Sequence, residues 1–183
     1  IKKAGKNFSL DLSADKILDE ERILEVRLNR NGADPVYFYT RIVSDEDANV
    51  AQCLNYISDY HENALAKAEN AGVGAALEPT DDADNTTLQH VTINSNYEQV
   101  TWGSLKPQVE QEERWSIKEL NSTCMSVLLQ YRVSCKGEEN ESDRYAVKEF
   151  FRVRYIADAQ KAYLLDYDRT MDQIFDATKK VLN

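Results

Sequence analysis

The fold is decided by CMSVLLQYRVSC at residues 124–135 and by RYAVKEFFRVRYI at residues 144–156. In the first stretch, apolar side chains occupy alternate positions from Met125 to Val133, and the residues between them are polar except for Leu128. The second stretch alternates in the same way, with its cations on the polar side. A period of two is typical of a β-strand with one buried face. Because only a short polar segment separates the stretches, the pattern predicts consecutive antiparallel strands.

The C-terminal part continues this pattern and then changes its period. A third strand is predicted over 162–167, with Tyr163, Leu165 and Tyr167 on one face. A helix is predicted from about Arg169 to the end of the chain, capped by Asp168. Its apolar residues recur at helical spacing: Met171, Ile174, Phe175, Thr178, Val181 and Leu182.

The N-terminal half predicts a hairpin and a long helix. Strands are expected over 23–29 and 36–43, joined by Asn31-Gly32, a pair that tolerates the positive φ of a tight turn. Ser44 and the acids after it predict a helix start, and an apolar stripe extends that helix to about residue 70. A loop is expected over 71–89 and extended chain over 90–102.

Together these elements predict the α+β class. We expect a curved antiparallel sheet, the C-terminal meander, packed on a long helix at about 46–70, with the N-terminal hairpin before it and the C-terminal helix after it. A single domain over 1–183 is favoured. The alternative is an N-terminal hairpin–helix lobe at 1–70 and a C-terminal meander–helix lobe at 90–183.

The order of these elements resembles that of NTF2-like (cystatin-like) domains of Gram-positive cell-envelope proteins. The resemblance covers about residues 46–167 and rests on YAVKEFFRVRY at 145–155 followed by YLLDY at 163–167. It implies a cone-shaped sheet, which in some members holds a pocket for small-molecule chemistry and in others serves only protein contacts. The hairpin before the helix and the helix after the last strand depart from the pattern.

The net charge of the chain limits the classes of partner that we expect. The net charge is −10, which disfavours nucleic acid and anionic membrane surfaces, since both attract clustered Lys and Arg. A protein or small-molecule partner is expected. No stretch has the 18 apolar residues of a membrane span. The chain begins at Ile1 with basic residues after it. We therefore expect a trimmed piece whose N-terminal anchor or signal was removed, placed in the cell envelope or secreted; a cytoplasmic location is the alternative.

Metal, cofactor and nucleophile patterns are missing from the sequence. Three cysteines, Cys53, Cys124 and Cys135, form neither a disulfide framework nor a zinc pattern and are expected to be buried as small apolar groups. The acidic run at 81–84 lacks the glycine and the distal glutamate of a calcium loop. His61 lies about 12 Å along the predicted helix from Cys53, too far for a nucleophile and its base, and His90 has no partner in the sequence.

Glu149 is the candidate for buried chemistry, because it interrupts the apolar side of its strand between Val147 and Phe151. A carboxylate inside the protein would have a raised pKa. A strand bulge or an exposed edge is the simpler explanation.

Other candidate binding residues are cations and aromatic side chains. Arg152 and Arg154, with the other cations of 144–154, suit an anionic partner or pair with acids across the sheet. Tyr97, Trp102 and Trp115 lie close in sequence, and such aromatic residues anchor interfaces or fill curved-sheet cores.

The sequence leaves three functions open. The favoured one is a non-enzymatic extracytoplasmic domain of a bacterial envelope protein, used for binding or regulation. The first alternative is an acidic intracellular inhibitor, of the immunity type, that blocks a basic toxin. The second alternative is an NTF2-like small-molecule enzyme, which requires a pocket with polar groups near Glu149, Arg152 or His61.

Overall fold

The structure is a computed structural model, and it describes residues 2–4, 7–9, 21–43, 48–69, 72–136 and 142–175. The chain divides into two compact units, Ile1–Glu46 and Asp47–Asn183. The helices and strands follow one another in this order: β1 (Lys2–Ala4), β2 (Asn7–Ser9), β3 (Arg22–Arg30), β4 (Ala33–Ile42), α1 (Val50–Ala66), β5 (His90–Thr92), α2 (Tyr97–Val100), β6 (Gln108–Leu120), β7 (Met125–Lys136), β8 (Ser142–Ile156) and β9 (Lys161–Gln173).

The described residues of the first unit form two antiparallel pairs, β1 with β2 and β3 with β4. The second pair is the predicted hairpin. Its turn contains Gly32 at a φ of 73°, a left-handed conformation that glycine adopts without steric cost.

The second unit is built on one five-stranded antiparallel sheet with the order β5-β9-β8-β7-β6. Its inner face has the alternating apolar residues of β7 and β8, and these are almost completely buried. The buried side of α1, which includes Ile57, Tyr60 and His61, contacts β8 and β9. Burial of this apolar surface is the main force that holds the unit together.

The predicted α+β class is wrong, because the fold is mainly β. Strands far outnumber helices in the described residues, and α1 is the only helix there of seven or more residues.

Helix α1 spans 17 residues and is shorter than the predicted helix. It begins at Val50 because Asn49 takes a left-handed φ of 48°, through which an α-helix cannot continue, and it ends where Lys67 takes a φ of 54°. The predicted cap Ser44 lies outside the described residues.

Two further elements differ from the predictions. The chain is extended only over His90–Thr92 within 90–102, because a turn and α2 follow. Asn96 caps α2 by accepting a hydrogen bond from the backbone N–H of Gln99 at 2.9 Å.

The predicted C-terminal helix is wrong over 169–173, where β9 continues and pairs with β8. Residues 176–183 of that predicted helix lie outside the described residues.

The predicted inner face of the third strand is also partly wrong. The register of β8 and β9 shifts between Arg152 and Val153, so that Leu165 is an extra residue on β9. Such a bulge reverses which side chains face inward. Leu164 and Tyr167 are therefore buried, whereas Tyr163 and Leu165 are exposed.

In the part of the chain that the structure describes, no helix is both long and apolar enough to cross a membrane.

Candidate functional site

A carboxylate lies at the centre of the inner face of the sheet. Glu149 is 1% exposed and lies on β8 between the buried Val147 and Phe151. Both explanations that would have left it outside the core, a bulge and an exposed edge, are wrong. Strand β8 is interior, with β7 and β9 on its two sides, and the pairing is regular at Glu149, opposite Leu129 and Arg169. The sequence position that broke the apolar pattern is thus a buried charged group.

Side chains from four other elements lie at this carboxylate or next to its partner His61. Nδ1 of His61, on α1, lies 2.5 Å from Oε2 of Glu149, and the Tyr167 hydroxyl donates to Oε1 at 2.8 Å. Nε2 of His61 lies 3.3 Å from Oε1 of Glu113 on β6. The ring of Tyr131 meets the imidazole edge to face, with centroids 5.0 Å apart. The helix and four strands therefore meet at one polar cluster, which we call the His61–Glu149 network.

Arg169 supplies a buried positive charge beside this network. It stands opposite Glu149 on the neighbouring strand and is 0% exposed. Its guanidinium lies 4.1 Å from the ring centroid of Trp102, a favourable cation–π arrangement. It donates to the backbone carbonyls of Gln99 and Val100, each at 2.8 Å. These carbonyls end α2, where a cation is favourable, so Arg169 ties α2 to the sheet.

With Glu149 and Glu113 ionised, the geometry places a proton on both nitrogens of His61. Each ring nitrogen faces a carboxylate oxygen, and an ionised carboxylate can only accept hydrogen bonds. With His61 charged, the charges of His61, Arg169, Glu149 and Glu113 cancel. With neutral His61, the cluster would retain one uncompensated negative charge next to a dry core, which is costly.

The pKa values move in the directions that this charge balance demands. Burial alone would raise the pKa of Glu149, but the hydrogen bond and charge of His61, with Arg169 and Tyr167, outweigh it and lower that pKa. The prediction of a raised pKa is therefore wrong. Burial alone would lower the pKa of His61, but Glu149 and then Glu113 raise it. Burial and the charge of Glu149 raise the pKa of the Tyr167 hydroxyl.

This arrangement is unsuited to acid–base catalysis on a substrate. A general base must reach the proton that it removes, but His61 is 1% exposed and both of its ring nitrogens already face carboxylates. What the network can do is hold α1, β6, β8 and β9 together by charge-assisted hydrogen bonds.

A cleft of about 430 Å³ opens beside α1, residues 72–78 and the start of β9. Neither Glu149 nor His61 nor Arg152 lines it. Three tyrosines and three charged residues contribute to its wall: Tyr56, Asp59, Tyr60, Glu78, Lys161 and Tyr163.

The outer face of the sheet contains the cations that the sequence singled out. Arg152 lies 3.2 Å from Glu119, Arg144 lies 2.7 Å from Glu110, and Arg154 donates to the carbonyl of Thr123 at 2.9 Å. The alternative that these cations pair across the sheet therefore describes Arg144 and Arg152.

Three other cations of this face, Arg114, Arg132 and Lys148, are exposed and have no ion pair or hydrogen bond to any residue that the structure describes.

The three aromatic candidates are not brought together. Trp102 is buried against Arg169, Trp115 is half-buried on β6 with Nε1 3.4 Å from Oε2 of Glu113, and Tyr97 is half-buried in α2. No ring contact joins them within the described ranges.

The sequence analysis did not identify Arg169, Tyr167 and Glu113 as members of a site. The alternation of Tyr167, Arg169 and Met171 was the available signal for a strand with a buried arginine.

The remaining candidates have structural surroundings. His90 lies on β5 with Nε2 2.5 Å from Oδ2 of Asp168, the residue predicted as a helix cap. Cys53, Cys124 and Cys135 are buried, as expected, and unpaired. Among the described residues, no group of three or more His, Cys, Asp or Glu side chains could hold a metal ion.

Comparison with known proteins adds no relative. No protein family, no curated protein and no solved structure matches this chain. The resemblance to NTF2-like domains therefore stays a prediction, as do the two alternative domain divisions.

Proposed function

We propose that this chain is a non-enzymatic binding domain that holds an acidic segment of a partner protein on the outer face of its five-stranded sheet. The observation that carries the proposal is a group of three exposed cations that pair with no residue in the described ranges: Arg114, Arg132 and Lys148, which we call the outer cation patch.

The sheet register brings the patch together. Arg114 on β6 and Lys148 on β8 both stand opposite Gln130 of β7. Strands are about 4.8 Å apart, so these two cations are separated by about 10 Å. Arg132 follows Gln130 by two residues on the same face, about 7 Å further along the strand. Three positive charges therefore lie within reach of one short segment.

Among the described residues, no acid lies within ion-pair distance of the patch, although Asp168 and Asp172 stand diagonal to Lys148 on β9. Like charges on neighbouring positions of a sheet destabilise it, and the 32 acidic residues of the chain exceed its 22 basic residues and could neutralise such cations. Arg144 and Arg152 of the same face do have acidic partners. An acidic segment from another protein would complete the pattern by electrostatic complementarity. A nucleic acid fits less well, because the net charge of −10 repels a long polyanion.

The proposal includes the predicted place of the protein, outside the membrane as part of an envelope protein. Sequencing of the complete gene tests this part, since a full-length product without a signal or an anchor would contradict it.

A peptide titration tests the binding surface. The probe is a glutamate-rich decapeptide, and a lysine-rich decapeptide is the matched probe of opposite charge. In low salt we expect the acidic peptide to shift the backbone amides around Gln130. Replacing Arg114, Arg132 and Lys148 together by Gln should weaken binding by roughly threefold to 150-fold, since each of the three lost charge pairs contributes roughly 0.2–1 kcal/mol.

The control variant is Arg144→Gln, which removes a cation that already has an acidic partner. It should bind the acidic peptide nearly as well as the wild type. Equal weakening by the control and by the triple variant, or no binding of the acidic peptide in low salt, would overturn the proposal. Preference for the lysine-rich peptide would favour an inhibitor of a basic toxin.

A further inference from the structure

We infer that the cleft beside α1 is a second binding site, distinct from the outer cation patch, and that it takes an organic cation: an alkylammonium group attached to an apolar body. The charge, the walls and the size of the cleft support this inference.

The charge of the cleft is negative. Among the described residues, Asp59 and Glu78 line it together with a single cation, Lys161. Neither carboxylate has a hydrogen bond or ion pair to any other residue in the described ranges. In a site with aromatic walls, two unpaired carboxylates leave a net attraction for one positive charge even with Lys161 in place.

The walls of the cleft favour a cation with an apolar body. Tyr56, Tyr60 and Tyr163 provide ring surfaces, and the face of a tyrosine ring attracts an ammonium group. The face of Tyr163 is already in such a contact, because Nζ of Lys161 lies 5.0 Å from its centroid. A ring whose face accepts the ammonium of Lys161 has the geometry to accept that of a ligand.

The size of the cleft suits a small organic ligand. The volume of about 430 Å³ lies within the range of small-molecule sites.

The first experiment compares two probes of the same size. Phenethylamine has the charge, whereas 2-phenylethanol has the same ring and chain without it. Followed by amide chemical shifts, phenethylamine should perturb Ala75, Ala76 and Leu164 and bind at least about fivefold more tightly than the alcohol, as expected for one charge contact and one cation–π contact. Equal binding of the two probes, or no binding of either, would overturn the inference.

The second experiment reverses the charge of the cleft. In the double variant Asp59→Asn with Glu78→Gln, only Lys161 remains charged, so 3-phenylpropionate should bind in preference to phenethylamine. Both positions are exposed, and an unchanged amide spectrum elsewhere verifies the fold. Asp172→Asn is the matched control, since it removes an acid from the far end of β9. If the control alters probe binding as much as the double variant does, the inference fails.

A third arm distinguishes the two sources of such a group. N-acetyl-lysine methylamide presents the ammonium as a protein side chain would, and phenethylamine presents it as a free amine. Tighter binding of the lysine derivative assigns the cleft to a lysine of a partner protein, and tighter binding of the free amine assigns it to a small molecule. Failure of both, with intact binding at the outer cation patch, would sink this inference and leave the proposed function standing.

Discussion

Two carboxylate–cation pairs on opposite faces of one sheet show what burial does to a charge. On the inner face, Glu149 pairs with His61, and the two side chains are 1% and 2% exposed. On the outer face, Glu119 pairs with Arg152, three residues further along β8, and both side chains are 44% exposed. Water screens the outer pair and solvates either partner alone. Removing one partner of the inner pair leaves a charge that nothing solvates, so the same chemistry has different consequences on the two faces.

The largest expected effect comes from neutralising the inner carboxylate. Glu149→Gln keeps the shape of the side chain but leaves Arg169 and His61 without their buried counter-charge. We expect the free energy of unfolding to fall by about 3–5 kcal/mol. Urea denaturation at pH 6 measures the change. Glu119→Gln, the matched outer change, should alter the midpoint little, and an equal loss in both variants would contradict the comparison.

A smaller effect is expected when one hydrogen bond of the network is removed. Tyr167→Phe deletes the hydroxyl that donates to Oε1 of Glu149 and leaves the ring contacts with Tyr60 and Phe151. A hydrogen bond to a charged group contributes about 1.5–3 kcal/mol, so the same denaturation experiment should show a loss of that size. Tyr163→Phe is the control, because Tyr163 is exposed. Indistinguishable stabilities of the two variants would argue against the hydrogen bond.

The network also predicts a pH window for stability. The pKa of Glu149 is lowered from its ordinary value of 4.5, so its contribution is complete above that pH and is lost as the pH falls through the folded pKa. The pKa of His61 is raised from 6.5, so its contribution is complete below 6.5 and is lost as the pH rises through the folded pKa. Both contributions are complete between pH 4.5 and pH 6.5.

Denaturation midpoints measured from pH 3 to pH 9 test this window. The stability difference between the wild type and His61→Gln should be largest inside the window and shrink on the alkaline side. A difference that grows as the pH rises above 6.5 would mean that His61 is neutral in the folded protein.

The smallest expected effect belongs to the outer cation patch. Lys148→Glu places an acid diagonal to Arg132 and across Gln130 from Arg114. It relieves repulsion from Arg132 and Arg114 but adds repulsion from Asp168 and Asp172, which stand diagonal to position 148 on β9. We therefore expect stability to change by no more than roughly a few tenths of a kcal/mol, while binding of the acidic peptide weakens. A clear loss of stability would show that the patch supports the fold and is not reserved for a partner.

Much of the sheet could be predicted from the sequence, but little of the His61–Glu149 network could. The alternation from Met125 to Cys135 and from Tyr145 to Tyr155 predicted β7 and β8. Glu149 stood out because it interrupted that alternation. The spacing after Asp168 fitted a helix as well as a strand, and pairing with β8 and β5 decided for the strand. That pairing also determined the positions of Arg169 and Tyr167.

Glu113 and His61 illustrate the same limit. Glu113 belongs to the polar stretch QEER at 111–114, which has no apolar alternation, and only the pairing of β6 with β7 places it near His61. The direction of the pKa shift of Glu149 could not be predicted either, because burial and the contact with His61 act in opposite directions and only the fold shows that the contact exists.

Titration of the histidine ring protons by NMR tests the charged network most directly. The chain has only two histidines, His61 and His90, so a His90→Gln variant leaves a single titrating ring. The account predicts that His61 in the folded protein stays protonated at pH 6.5 and releases its proton only at a higher pH, and that Glu149→Gln moves this release to a lower pH. A His61 ring that is already neutral at pH 6, with or without Glu149, would contradict it.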